Sequence, residues 1–372
     1  MVNLYKQIIP VVSLLAAGAA YAGVNIAVIA PKEGEHQKSG YELISGVTTA
    51  VEEINSQGGL NGEKINLITV DDQCDDRLAV YTAQMMAVNA NRKDKMSLVI
   101  GPYCSNSFDN VANIYAKANI FQIVPIALSE SDAKESHKGL VKMVGYKDNQ
   151  AKDFFKYYTQ AFEGQKVAII YDSGIRSIVD LAASVQSEFR KAGVSSLLKA
   201  FNFRNYADNY DEMVEDITRN NIHIAYILGK PKNIAKISKK LKNEERDFVI
   251  FTNKYQAGDD FSKTMGSAAE NTYLIALPSL KDSPDFAETL VQLRLHGVEL
   301  EGLAVYGYSA VKLWEEIVNK ADSFKYDKLA KALEEDKIET GWGEVMFTNG
   351  NPQNSINYGI YKFSGGEYTQ VY

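Results

Sequence analysis

Cysteine and histidine are scarce in this chain, two and four among 372 residues. That excludes a zinc-finger scaffold or a multi-cysteine iron–sulfur site, each of which needs a denser set of soft ligands. No excess of positive charge is present either: 40 Lys and Arg face 47 Asp and Glu, and no basic tract is long enough to track phosphates. Nucleic acid and other polyanions are therefore not expected partners. The patterns Gly-x-Ser-x-Gly, His-Glu-x-x-His, Gly-x4-Gly-Lys-Ser/Thr and strand-borne Gly-x-Gly-x-x-Gly are all missing beyond residue 22. The usual hydrolase, metalloprotease and nucleotide-binding signatures are thus excluded. No low-complexity linker occurs, and 45% hydrophobic with 23% charged residues rules out bulk disorder.

What is present begins with length. A chain of 372 residues exceeds what one core usually organises, so two lobes are expected. Residues 1–22 carry a single charge, Lys6, then an apolar run from Ile8 to Ala20 and the small-x-small trio Ala20-Tyr21-Ala22. This reads as a secretory signal cleaved before Gly23. The run is shorter than the roughly 20 residues a membrane span needs, and Pro10 interrupts it. No cysteine follows it, so a lipid anchor is not indicated. The mature chain then has 39 basic against 47 acidic residues, a balance of −8, and is expected in the periplasm. In an oxidising compartment Cys74 and Cys104 can pair; the alternative is two buried free thiols.

After the signal, short and nearly continuous apolar runs alternate with segments of helical period, which is the pattern of parallel strands buried on both faces. The first series places strands at 24–30, 65–70, 98–101 and 121–126, with Ile44, Val47, Val51 and Ile54 at helical spacing between the first two. That helix should stop at Gln57-Gly58-Gly59, where glycine supplies the positive φ of a C-cap. A second series repeats the architecture at 167–172, 223–229, 248–252 and 272–277, with helical patterns at 177–191 and 234–241. Helical patterns return at 305–319 and 329–335, before a hairpin-like tail at 345–351 and 358–363. The fold class expected is α/β, with two doubly wound parallel-sheet lobes. Ligands of such sheets bind beyond the carboxyl ends of strands at a switch point, so the site should lie between the lobes.

Other candidates read as structural. His36, His137, His223 and His296 are scattered, and His223 heads an apolar strand. Gly341-Trp342-Gly343 lacks a third glycine and a preceding strand, and reads as a turn. Asp71, Asp72, Asp75 and Asp76 cluster around Cys74 without the ligand spacing of a calcium loop. An Asp-rich strand-to-helix turn explains them. No metal, no cofactor and no catalytic residue is expected.

Several segments together resemble the leucine/isoleucine/valine-binding proteins that serve ABC transporters. They are Glu53-Ile54-Asn55-Ser56-Gln57-Gly58-Gly59-Leu60-Asn61-Gly62, Asp71-Asp72-Gln73-Cys74-Asp75, Gly101-Pro102-Tyr103-Cys104-Ser105-Asn106-Ser107 and Phe121-Gln122-Ile123-Val124-Pro125. The resemblance spans essentially the whole mature chain and is strongest in the first half. It implies a type I periplasmic binding protein, with two α/β lobes joined by three crossovers and closing on a small ligand without chemistry. It implies residues 23–144 with about 278–346 in one lobe, and 145–277 with about 347–372 in the other. It implies a Cys74–Cys104 disulfide, an inner-membrane ABC permease as partner, and a monomer.

Carried over residue by residue, the resemblance gives Ser105, with its neighbour Asn106, as the group that grips a ligand carboxylate. Ser105 opens a helix, where free backbone N–H groups favour an anion. Ile126 falls where the family uses a backbone carbonyl to hold the ligand amine. Leu128 stands where the family has a threonine, with Ser129 beside it, and Ser39 replaces an aromatic residue near Gly40. In the second lobe Lys230 replaces a tyrosine, Lys254 replaces the acid that pairs with the ligand ammonium, and Arg176 lies in a loop that often presents an aromatic residue. Three cations at three strand ends suggest a ligand with a second anionic group, since Lys and Arg bind carboxylate or phosphate by charge-assisted hydrogen bonds. The expected function is capture of an amino-acid-like or carboxylate metabolite for an ABC importer. The alternatives are a ligand-loaded partner of a membrane receptor and, with no visible nucleophile or cofactor loop, a secreted α/β enzyme.

Overall fold

The computed structural model describes residues 23–34, 36–88, 95–104, 107–128, 135–146, 148–206, 209–242, 248–254, 261–278, 284–295, 297, 302–340, 343–353 and 357–372. Ser105, Asn106, Ser129, His296, Gly341 and Trp342 therefore lie outside the described residues, as does the amino-terminal segment 1–22.

The first lobe is built on β1 (Gly23–Ile29), β2 (Lys64–Val70), β3 (Met96–Ile100), β4 (Phe121–Val124) and β5 (Leu140–Lys142), which form a parallel sheet of order β2-β1-β3-β4-β5. Its central strands are nearly all apolar because helices cover both faces. On one face lies α1 (Gln37–Ser56), which turns Leu43, Val47, Ala50, Val51 and Ile54 inward. It ends as expected: Gly58 and Gly59 take φ of 109° and 92°, and the Gly59 N–H closes the helix on the Ile54 carbonyl at 3.0 Å. The other face carries α2 (Asp76–Val88) and α3 (Phe108–Lys117), over Ala27, Ile29 and Val99.

The second lobe repeats the winding. Strands β6 (Val167–Tyr171), β7 (Leu198–Asn202), β8 (Ile224–Leu228), β9 (Val249–Asn253) and β10 (Thr272–Ala276) are parallel in the order β10-β9-β8-β6-β7. Between them run α4 (Asn149–Ala161), α5 (Arg176–Lys191), α6 (Asp211–Arg219), α7 (Pro231–Lys242) and α8 (Phe261–Met265). The chain then returns to the first lobe through α9 (Pro284–Leu295), α10 (Leu303–Ala321) and α11 (Tyr326–Glu335), and through short strands β11 (Ile338–Thr340), β12 (Gly343–Val345), β13 (Phe347–Thr348) and β14 (Asn351–Pro352). It finishes as an antiparallel hairpin, β15 (Gly359–Ser364) and β16 (Glu367–Gln370), added to the edge of β10.

Two glycines fix the seam between α1 and α10. A Cβ on Gly46 would sit 1.8 Å from the Ala304 carbonyl oxygen, and one on Gly307 would sit 2.4 Å from that of Leu43. The helices thus meet backbone to backbone, and beside the contact Tyr308 and Lys312 both donate to Glu53, at 2.7 and 3.2 Å. The passages between lobes also bond to one another. The Lys142 N–H donates to the Gly350 carbonyl at 2.7 Å, the Tyr146 hydroxyl donates to Asn351 Oδ1 at 3.0 Å, and the Tyr358 N–H donates to Asp153 Oδ2 at 2.7 Å.

Candidate functional site

Both sheets share one strand order, with two strands to one side of the first-laid strand's switch and the rest beyond it. In this order the crevice opens at the carboxyl ends of the first and third strands. For the first lobe these are the ends of β1 and β3; for the second, those of β6 and β8.

At the first switch the Tyr103 N–H donates to the Ile29 carbonyl at 3.2 Å, drawing the loop after β3 across the end of β1. The Cys74–Cys104 disulfide ties that loop to the segment after β2, with a Cα separation of 5.4 Å. The expected pairing is therefore formed, immediately before Ser105. Gln73 and Cys74 both take left-handed φ, 52° and 53°, and the Asp71 and Asp72 carboxylates accept their N–H groups at 2.8 and 3.2 Å. The acid cluster is thus a turn device, and among the described residues no group of three or more His, Cys, Asp or Glu is arranged to hold a metal. Burial pushes the Asp72 carboxyl above its usual range despite the Cys74 N–H, and the charges of Asp71 and Asp76 add to the rise.

Ile126 and Leu128 follow β4 and are buried with Phe108, Ala112, Val124 and Leu140. The Leu128 N–H donates to the Gly145 carbonyl at 3.1 Å. The side chains of this pair belong to the core. At this edge His36, which precedes α1, packs its ring 5.6 Å from that of Tyr103. Lys142 was not singled out from the sequence. It is buried at the end of β5, donates to the Tyr146 hydroxyl at 3.0 Å, and lies against the Phe108 and Tyr146 rings.

The second sheet brings Arg176, Lys230 and Lys254 to one edge, because β6, β8 and β9 are adjacent and parallel and each of the three residues follows one of them. Arg176 opens α5, is largely exposed, and sits 3.9 Å from Asp180. Lys230 is exposed, and its carbonyl accepts the Asn233 and Ile234 N–H groups at 2.9 and 3.0 Å, setting it at the head of α7. Lys254 is exposed beyond β9, next to buried Asn253, which donates to the amide oxygen of Gln150. Among the described residues neither Lys230 nor Lys254 is held in an ion pair. The first turns of α5 and α7 contain no acidic residue.

A further pair at this edge escaped the sequence reading. Asp172, directly after β6, is 2% exposed, and Arg204, after β7, donates to it through Nε. Burial opposes ionisation of Asp172, but the Arg204 hydrogen bond, the Gly174 N–H at 2.9 Å and the charges of Arg204 and Lys230 outweigh it. The carboxyl is held below its usual range. The signal in the sequence was weak: only Phe201 of β7 is buried, and Lys199 and Asn202 interrupt the apolar run that would have put Arg204 at a strand end.

Two lobes, each with a switch-point crevice at the carboxyl edge of its sheet, define a ligand-capturing binding protein. The chain belongs to the periplasmic binding protein family, whose model matches residues 23–367. Members of this family bind ligands and are not enzymes. An amino acid binding protein of Pseudomonas aeruginosa is 24% identical over 355 residues, covering 95% of this chain and 93% of its own. The Leu/Ile/Val-binding protein BraC3 of Rhizobium johnstonii is 24% identical over 359 residues, 96% of each chain. In fold, the leucine binding protein LivK of Thermotoga maritima superposes with a TM-score of 0.74 at 20% identity, over 94% of this chain and 98% of its own. No helix among the described residues is long and apolar enough to cross a membrane.

Proposed function

We propose that this protein is the exported substrate-binding component of an ABC importer and that its ligand is a small metabolite with a carboxylate and a second anionic group, such as an acidic amino acid or an organic dicarboxylate. The observation that carries this reading is the charge of the second lobe's carboxyl edge. Helix N-termini ordinarily attract Asp or Glu because the helix dipole is positive there. Here α5 and α7 begin instead with Arg176 and with Lys230 and Lys232, and Lys254 stands at the end of the next strand. Cations added to positive helix ends are unfavourable unless an anion joins them. The buried acid at that edge, Asp172, is already matched by Arg204.

On this reading Ser105 and Asn106 hold the first carboxylate with the free N–H groups at the start of α3, the Ile126 and Leu128 backbone borders it, and the second-lobe cations close on the other anionic group. The names of the relatives support an amino-acid-like ligand, while a lysine at 254 disfavours one whose only second polar group is an ammonium. A cleaved signal, a periplasmic location and an inner-membrane permease as partner follow from the same reading. Reversing one charge tests it. Lys254→Glu replaces an attraction with a repulsion, and a lost charged hydrogen bond alone is worth about 1.5–3 kcal/mol, so dicarboxylate affinity should fall at least about tenfold to hundredfold. Unchanged affinity in calorimetric titration would remove Lys254 from the site.

A further inference from the structure

Resting on the anionic-ligand reading, we propose that Arg204 is the residue that distinguishes a ligand with a second anionic group from its neutral counterpart, and that Asp172 is the positioning residue that aims it. The loop geometry is built around this side chain. Arg204 is anchored by Nε alone to the buried Asp172 carboxylate, while half of the Arg204 side chain stays exposed. Among the described residues its two Nη groups make no hydrogen bond, so the fork that suits a carboxylate remains open. The guanidinium lies against Gly174: a Cβ there would fall 2.1 Å from Nη2 and 2.2 Å from Cζ. Any other residue at 174 would push Arg204 away.

Asn202 aligns the two loops from below. Its Oδ1 accepts the Ser173 N–H at 3.4 Å and the Arg204 N–H at 3.3 Å. The Asp172 N–H donates to the Leu228 carbonyl at 3.0 Å, which seats the pair at the switch between β6 and β8, next to Lys230. A salt bridge that served only to staple two loops would need neither a bare glycine face nor an open guanidinium fork at that edge. Lys230, after β8, and Arg204, after β7, flank Asp172, which follows the strand between them; on this proposal the two cations meet one anionic group from either side.

The test uses ligand pairs that differ only in that group, succinate with succinamate and L-glutamate with L-glutamine, titrated calorimetrically into ligand-stripped wild type, Arg204→Gln, Asp172→Asn and Lys230→Gln. Arg204→Gln should weaken binding of the dicarboxylate of whichever pair binds by about tenfold to hundredfold, as loss of a charged hydrogen bond predicts. Its neutral counterpart should be unaffected, and the urea midpoint without ligand should not explain the change. Asp172→Asn should reduce the same discrimination without abolishing it. If Arg204→Gln binds the dianion within twofold of wild type while Lys230→Gln is weakened, Arg204 is only a loop staple and the inference falls alone. If wild type binds no dianion, the anionic reading falls first. Should Arg204→Gln not fold, Arg204→Lys, which keeps the charge but loses the fork, must still lower discrimination; unchanged discrimination overturns the proposal.

Discussion

Removing the Cys74–Cys104 bridge should cost the fold a definite amount. The two cysteines are 30 residues apart in sequence, and their Cα atoms lie 5.4 Å apart. On the chain-entropy model, ΔS ≈ −2.1 − 1.5R ln n, opening a loop of that length frees about 3.5 kcal/mol of unfolded-state entropy at 25 °C. Both cysteines are only half-buried, so Cys74→Ala with Cys104→Ala adds little cavity cost. The local backbone acts in the opposite direction, since strain released in the variant offsets part of this loss. Gln73 and Cys74 sit consecutively in the left-handed region, which is unfavourable by about 1–2 kcal/mol for each non-glycine residue. The disulfide is one of the restraints that hold them there. With an m-value near 3 kcal/mol/M, the urea midpoint of the double variant should drop by roughly 1 M. Equilibrium urea unfolding followed by fluorescence and by circular dichroism measures this directly. A loss below about 1 kcal/mol would refute the loop-entropy argument for this bridge.

Other outcomes follow from single contacts. Gly46→Ala must drive α1 and α10 apart, because its Cβ would land 1.8 Å from the Ala304 carbonyl. The loss should reach about 3 kcal/mol or more, against a change within about 0.5 kcal/mol for exposed Ser45→Ala; equal urea midpoints for the two would contradict the backbone-to-backbone seam. Asp72→Asn should flatten part of the pH dependence. A buried carboxyl whose pKa is raised on folding is neutral without penalty at low pH and lowers stability as pH rises through the folded pKa. The variant should therefore gain on wild type between pH 4 and pH 8, and a constant difference in urea midpoint across that range would sink the assignment. Asp172 has the opposite sign. Held ionised by Arg204, it contributes stability above the ordinary carboxylate range and loses it as pH falls below. Asp172→Asn should therefore shed stability at pH 7 and approach wild type in acid, and a deficit that persists undiminished at pH 3 would show that ionisation is not the cause.

The legible part of this fold was its centre. Strands such as β1, β6 and β8 are buried on both faces, so they appear in sequence as apolar runs whose bounds differ from the structure by a residue or two. The edge strands β5 and β7 did not announce themselves. β5 is three residues long, and β7 is only partly buried, with Lys199 and Asn202 interrupting its apolar character. Missing β7 also hid Arg204, whose partner Asp172 lies 32 positions earlier. Similarly, Gly46 and Gly307 look like ordinary helix-weakening glycines until α1 and α10 are seen in contact across the chain. The candidate cations were visible because each follows a strand that could be read. A parallel sheet puts all three at one edge, but their adjacency along it was not legible, since it depends on the order β9-β8-β6, which runs against the order in sequence.

The central claim is that the second lobe's carboxyl edge selects an anion. The most direct measurement is the thermal shift of the mature protein, unfolded and refolded to strip carried-over ligand, against L-glutamate, succinate, glutarate, inorganic phosphate and L-leucine. A ligand at 100 times its dissociation constant adds about 2.7 kcal/mol of stability, which such a scan resolves. If that edge selects an anion, at least one of L-glutamate, succinate, glutarate and phosphate raises the melting temperature and L-leucine does not. Stabilisation by L-leucine with no response to any dianion would contradict it.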